Sequence, residues 1–218
     1  MSDIFVILTG FVVGVVHVLL GPDHLVALAP FAVEARRKAW VIGLRWGVGH
    51  AIGIIVVGMA GYAAVGWLDI ELLSRVGERL VGLMLVAIGV WAFIHLRRAR
   101  LAAPGAPAKI EGHVHTRAAF LLGAMHGVAG TGGVLGVLPA MAQPSWFYAG
   151  AYLVSFGTGS IVGMMGFASL CMLTTGGRPA EQRSAYRWPF VAASVTCLLM
   201  GVLWMAFPNL RFDFDWAR

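Results

Sequence analysis

The chain has 218 residues, 59% of them hydrophobic and 12% charged, with a mean hydropathy of +0.82. Soluble domains carry about 25% charged residues, so this composition excludes an ordinary soluble domain and implies an all-α membrane protein. The net charge of +6 does not imply a nucleic-acid partner, because basic loops of membrane proteins set orientation.

The first apolar run, Ile4 to Leu20, has no basic segment before it and no small-residue cleavage site after it. It reads as a retained span and not as a signal peptide. The run ends in His17-Val-Leu-Leu-Gly-Pro-Asp-His24. Two imidazoles and a carboxylate at membrane depth are costly unless they are paired or bind something. On an unbroken helix His17 and His24 share a face but lie about 10 Å apart along the axis. That is too far for one metal ion, whose bonds to His are about 2 Å. Gly21-Pro22 removes the conflict. Gly favours the left-handed turn that ends a helix, and Pro the first position of the next. A break there folds Asp23 and His24 back towards His17. The alternative is a kinked helix with two hydrogen-bonded histidines.

Spans need about 20 apolar residues, and six are expected: Ile4–Val33 (broken at Gly21-Pro22), Ala39–Leu68, Leu80–Leu96, Ala118–Met141, Trp146–Thr175 and Trp188–Phe207. The connections are Glu34–Lys38, Asp69–Arg79, Arg97–Arg117, a short one at Gln143-Pro-Ser, and Gly176–Arg187. The middle connection, containing Ala-Ala-Pro-Gly-Ala-Pro, divides one membrane domain into residues 1–96, a linker over 97–117, and residues 118–218. Connections one, three and five hold eleven Lys and Arg residues, against four on the other side (Arg75, Arg79, Arg211 and Arg218). The positive-inside rule puts the linker in the cytoplasm and both termini outside. Cys171 and Cys197 lie in apolar runs and form no CxxC, so they read as buried, inert thiols.

The second span contains Arg45 and His50 among closely spaced glycines, which suit helices packed tightly in lipid. His50 is a candidate third imidazole ligand or a hydrogen-bonded core histidine. Arg45 lies about 140° from it round the helix. It either pairs with Asp23, leaving that carboxylate to support the ligands, or structures the cytoplasmic end of the site.

The two halves repeat. His17 to Pro30 aligns without a gap on His126 to Pro139, matching His17 with His126, Gly21 with Gly130 and Pro30 with Pro139. With one residue of slippage Gly49-His50 falls on Gly157-Thr158 and Gly58 on Gly166. Three spans per half make the second half inverted, with broken first and fourth spans. Interrupted helices in inverted repeats mark transporters with a site near the midplane. The second half keeps the break but has Gly130-Thr-Gly-Gly where the first has Gly-Pro-Asp-His, so one metal site is built mainly by the first half. His126 is a ligand or a pathway residue; Thr131 and Thr158 offer hydroxyls. His113 and His115, in the linker, are candidates for metal hand-off or plain solvated histidines. His95, beside Arg97-Arg98, reads as interfacial.

These residues resemble the nickel/cobalt transporter superfamily, and most closely its short six-span UreH-like branch. Other branches carry His-x4-Asp-His; here the spacing is His17-x5-Asp23-His24. Arg37-Lys38-Ala-Trp and Val48-Gly49-His50-Ala51 are similar to a second motif of the superfamily, and His126-Gly-Val-Ala-Gly130 to a segment of the short branch. The acidic motif of the fourth span is absent, with Gly132-Gly133 in its place. The resemblance implies an inner (plasma) membrane permease for Ni²⁺ or Co²⁺. The metal is its substrate and not a cofactor, and a cytoplasmic metal-accepting protein is a possible partner. The ligand set itself fits nickel, cobalt, zinc or copper. No Walker motif occurs, so nucleotide hydrolysis by this chain is not expected. The competing function is an intramembrane peptidase. A metal-dependent one lacks His-Glu-x-x-His, and a serine one has only Ser155 or Ser160 without a nucleophile motif.

Overall fold

A computed structural model describes residues 3–35, 38–64, 70–101, 112–130, 132–175 and 183–207. Within them the elements are α1 (Asp3–Leu20), α2 (Pro22–Ala35), α3 (Ala39–Ala63), α4 (Ile70–Leu101), α5 (Gly112–Ala129), α6 (Gly132–Met141), α7 (Trp146–Thr175) and α8 (Arg183–Ala206). Five stretches are long and apolar enough to cross a membrane: Asp3–Leu20, Ala39–Ala63, Arg75–Arg98, Trp146–Leu173 and Trp188–Ala206. The stretch expected as the fourth span is divided between α5 and α6, with Gly130 outside both helices. The first is divided at Gly21 in the same way.

Helix ends depart from the apolar boundaries. α4 takes up Ile70–Arg79, expected as a connection, and runs past Leu96 to Leu101. Arg75, Arg79, Arg97 and Arg98 are exposed on it. Arg and Glu are good helix formers, so hydropathy marks where lipid ends and not where the helix does. α5 likewise begins at Gly112, which places His113 and His115 in its first turns and not in a loop. Residues 102–111 of the expected linker, Thr131 and the C-terminal tail beyond Phe207 lie outside the described residues.

α1 buries Val6, Gly10, Gly14, His17 and Val18, a stripe at helical spacing. The stripe lies along α7. A β-carbon on Gly14 would strike the Phe156 carbonyl, and one on Gly159 the Phe11 carbonyl. The same contacts recur between α5 and α3, where Gly123 abuts the Trp46 carbonyl and Gly49 abuts that of Phe120. Contact positions rise together along both pairs, so α1 runs parallel to α7 and α5 parallel to α3. α3 and α7 cross antiparallel, with Gly47 on Ile161 and Gly157 on Ala51. α4 and α8 form a second antiparallel pair, with Gly82 on Gly201.

These contacts correct the expected register between the halves. By their contacts Gly47 and Gly49 of α3 are matched by Gly157 and Gly159 of α7, which matches His50 with Ser160 and not with Thr158. Ser160 is buried, whereas Thr158 is exposed and bonded to the Val154 carbonyl at 2.8 Å. Gly166, expected opposite Gly58, touches nothing.

Candidate metal centre

The break after α1 builds the site. The Gly21 N–H donates to the His17 carbonyl at 2.9 Å, closing α1. The His24 N–H donates to the Gly21 carbonyl at 3.1 Å, opening α2. Pro22 at the start of α2 lacks an N–H that would be unpaired there anyway. Gly21 is not in the left-handed region; it is needed because a β-carbon would lie 2.5 Å from His24 Nδ1 and 2.9 Å from the His17 carbonyl. The missing side chain is filled by the histidine that folds back.

Five polar side chains meet inside the protein: His17 from the end of α1, Asp23 and His24 from the start of α2, His50 from the middle of α3, and His126 from near the end of α5. None is more than 4% exposed. The His24 ring lies 4.4 Å from those of His17 and His126 and 4.8 Å from that of His50, between ring centroids. Asp23 ties the set together, with Oδ1 3.0 Å from His24 Nδ1 and Oδ2 3.0 Å from His126 Nε2. With His24 donating through Nδ1, its Nε2 lone pair is free. His17 Nε2, His24 Nε2, both nitrogens of His50 and Nδ1 of His126 are buried without a hydrogen-bond partner among the described residues. Each such group costs about 1–3 kcal/mol, which coordination to a cation would offset. His17, His24 and His50 each bring a ring nitrogen, all within 4.8 Å of one another; Asp23, His24 and His126 form a second such group. Bonds of about 2 Å draw ligand atoms to within about 4 Å of each other, so closure on an ion needs shifts of under about an ångström.

Of the expected site residues, Arg45 stays outside. It is exposed on α3, and Asp23 has its oxygens on two histidines instead. His113 and His115 lie thirteen and eleven residues before His126 on α5, about 16–20 Å away along the helix. The serines of the peptidase alternative are engaged in packing: Ser155 donates to the Ile7 carbonyl, and Ser160 to those of Phe156 and Gly14. His95 is paired with Glu34 of α2 at 2.9 Å, and is not merely interfacial. Two aromatic walls flank the cluster. Phe156 lies 5.3 Å from the His17 ring and Trp46 6.3 Å from that of His126. Trp46 was legible as one turn before His50 on the same face; Phe156 comes from the other half of the chain and left no such signal.

Among the described residues, five helices able to cross a bilayer and a buried group of four imidazoles and a carboxylate define an α-helical membrane protein with a candidate metal centre. No protein-family model and no solved structure matches the chain. It is similar to the chloroplast proteins FOR GROWTH AND FERTILITY 1 and 2 of Arabidopsis thaliana, at 32% and 31% identity over 72% of the chain. It spans less than half the length of these two relatives, 46% and 44%. It is also 28% identical to the urease accessory protein UreH of Bacillus sp. (strain TB-90), over 77% of each chain.

Proposed function

We propose that the protein transports a divalent transition-metal cation, nickel or cobalt, across the plasma membrane by alternating access. The observation that carries this is the convergence of His17, His24 and His50, with unpartnered nitrogens, on a point where two helices are broken. Neutral imidazoles suit these metals. Asp23 orients His24 by accepting its Nδ1 proton, as carboxylates commonly do for metal-binding histidines. Likeness to a protein named as a urease accessory, together with the Gly-Pro-Asp-His and Gly-His-Ala motifs, favours nickel or cobalt over zinc or copper.

The architecture fits this work as six crossings in two inverted repeats, α1 to α4 and α5 to α8. The recurring contacts of α1 on α7 and α5 on α3 support that reading. So does the parallel direction of each pair, since α1 and α5 then enter from opposite faces and end at the same depth. Charge asymmetry favours both termini outside. His113 and His115 stand apart from the cluster, and their part is hand-over to a cytoplasmic acceptor.

Nickel and cobalt titration of detergent-purified variants tests the reading. His24→Ala is expected to abolish binding, and His17→Ala to weaken it by at least about 100-fold, at the upper end of losses seen when a site's supporting groups are removed. Both variants should stay monodisperse. Wild-type affinity in both would sink the metal site.

A further inference from the structure

We infer that the cluster holds the cation in two alternative positions that share His24. The inference rests on the transport reading above and adds the path that the ion takes. The first position lies among His17, His24 and His50, and the second among Asp23, His24 and His126. His24 sits between them, its ring 4.4 Å from both His17 and His126. It turns Nε2, unpartnered, away from Asp23 and Nδ1 towards it.

The two positions differ in readiness. In the first, His17, His24 and His50 all present nitrogens without partners. In the second, Asp23 is hydrogen-bonded to His24 and to His126, each at 3.0 Å. That is already within the separation of ligand atoms around an ion with bonds of about 2 Å. A cation therefore enters the first position without breaking a hydrogen bond. It reaches the second only when the Asp23 bridge opens and the protons on His24 Nδ1 and His126 Nε2 move to the other ring nitrogens. Each imidazole stays neutral in this exchange, so no proton is gained or lost.

Position and direction coincide. His17 and His126 are counterparts in the two halves, and each lies near the end of its helix, α1 or α5. The first position is thus bounded by the helix entering from one face, and the second by the helix entering from the other. His50 serves only the first, because its counterpart Ser160 has its hydroxyl on backbone carbonyls.

The test combines Co²⁺ titration of detergent-purified protein, read by visible absorption, with Co²⁺ uptake into proteoliposomes. His126→Ala and His126→Gln should each weaken Co²⁺ binding by less than about tenfold, below the usual loss for a supporting group, while uptake falls by at least about tenfold. His17→Ala should keep a weak Co²⁺ band of altered shape from the second position, and His24→Ala should keep none. Normal uptake by His126→Gln would make His126 only a hydrogen-bond partner of Asp23 and overturn the proposal. Complete loss of binding in His126→Ala would do the same, by showing one position built from all five groups. In either case the transport reading stands, because wild-type protein would still bind and carry Co²⁺. Absence of Co²⁺ binding by wild-type protein would defeat both.

Discussion

A methyl group at position 21 has no free space, since it would sit 2.5 Å from His24 Nδ1 and 3.1 Å from Asp23 Oδ1. The constraint is one of room and not of backbone handedness, and the two make different demands. A left-handed turn admits Asn more readily than Ala; a filled pocket tolerates neither. Gly21→Ala and Gly21→Asn are therefore both expected to weaken nickel binding by about tenfold or more, in the range for displaced supporting groups. Titration of the two purified variants checks this, and wild-type affinity in Gly21→Asn would restore the left-handed turn as the reason for glycine. The convergence of His17 with Asp23 and His24 was legible because glycine and proline punctuate a run too apolar to be interrupted for any other evident reason. Asp23's second partner was not: His126 is 103 residues away, and nothing local in sequence distinguishes a bridging carboxylate from one paired with Arg45.

At the scale of elements, small residues decide how closely helices approach, because apolar side chains gain little from burial against one another rather than against lipid. Gly49 and Gly159 each press a backbone carbonyl of the neighbouring parallel helix, whereas Gly166 faces open space. Ala is better than Gly in a helix by about 1 kcal/mol, and overpacking a close contact costs about 1–3 kcal/mol. The sign should therefore split by position. Gly49→Ala and Gly159→Ala should lower the thermal midpoint in detergent by a few degrees, at about 2–4 °C per kcal/mol for a chain of this size. Gly166→Ala should hold or raise it. Equal shifts at all three positions would show that the close approaches do not limit packing. The same glycines explain why the sequence misplaced the register of the second half. Glycine recurs every few residues in α3 and α7, so several alignments match in identity, and only the carbonyl each glycine faces selects one. Helix existence was legible from apolar runs, and α7 occupies Trp146–Thr175 as expected. The ends of α4 and α5 were not, because charged residues outside the lipid zone continue a helix as readily as they end it.

Over the whole molecule α1 on α7 and α5 on α3 pack alike, and the two halves differ in how they meet the α4–α8 pair. α2 rests on both α4 and α8, with Phe31 stacked on Trp91 at 4.8 Å and Glu34 joined to His95 at 2.9 Å. Its counterpart α6 packs on α3 and α7 and makes no comparable contact with α4 or α8 among the described residues. Gln143, just past the end of α6, bonds instead to the Pro139 carbonyl of α6 at 3.0 Å. If the two halves are the proposed inverted repeats, exchanging the dockings on the α4–α8 pair relates two states. On the proposed alternating-access reading, α6 would settle on the α4–α8 pair in the opposite-facing state and α2 would leave it, while the α1–α7 and α5–α3 contacts persist. The proposed transport would then require Phe31 and Trp91 to separate. Cysteines at these two positions, with Cys171 and Cys197 replaced, should permit uptake until a short, cleavable bifunctional thiol reagent joins them. Joining should stop Co²⁺ uptake into proteoliposomes, leave Co²⁺ binding in place because His17, His24 and His50 are undisturbed, and be reversed when the reagent is cleaved. Undiminished uptake by fully joined protein would mean that α2 stays docked throughout, and that the two faces are opened by some other element.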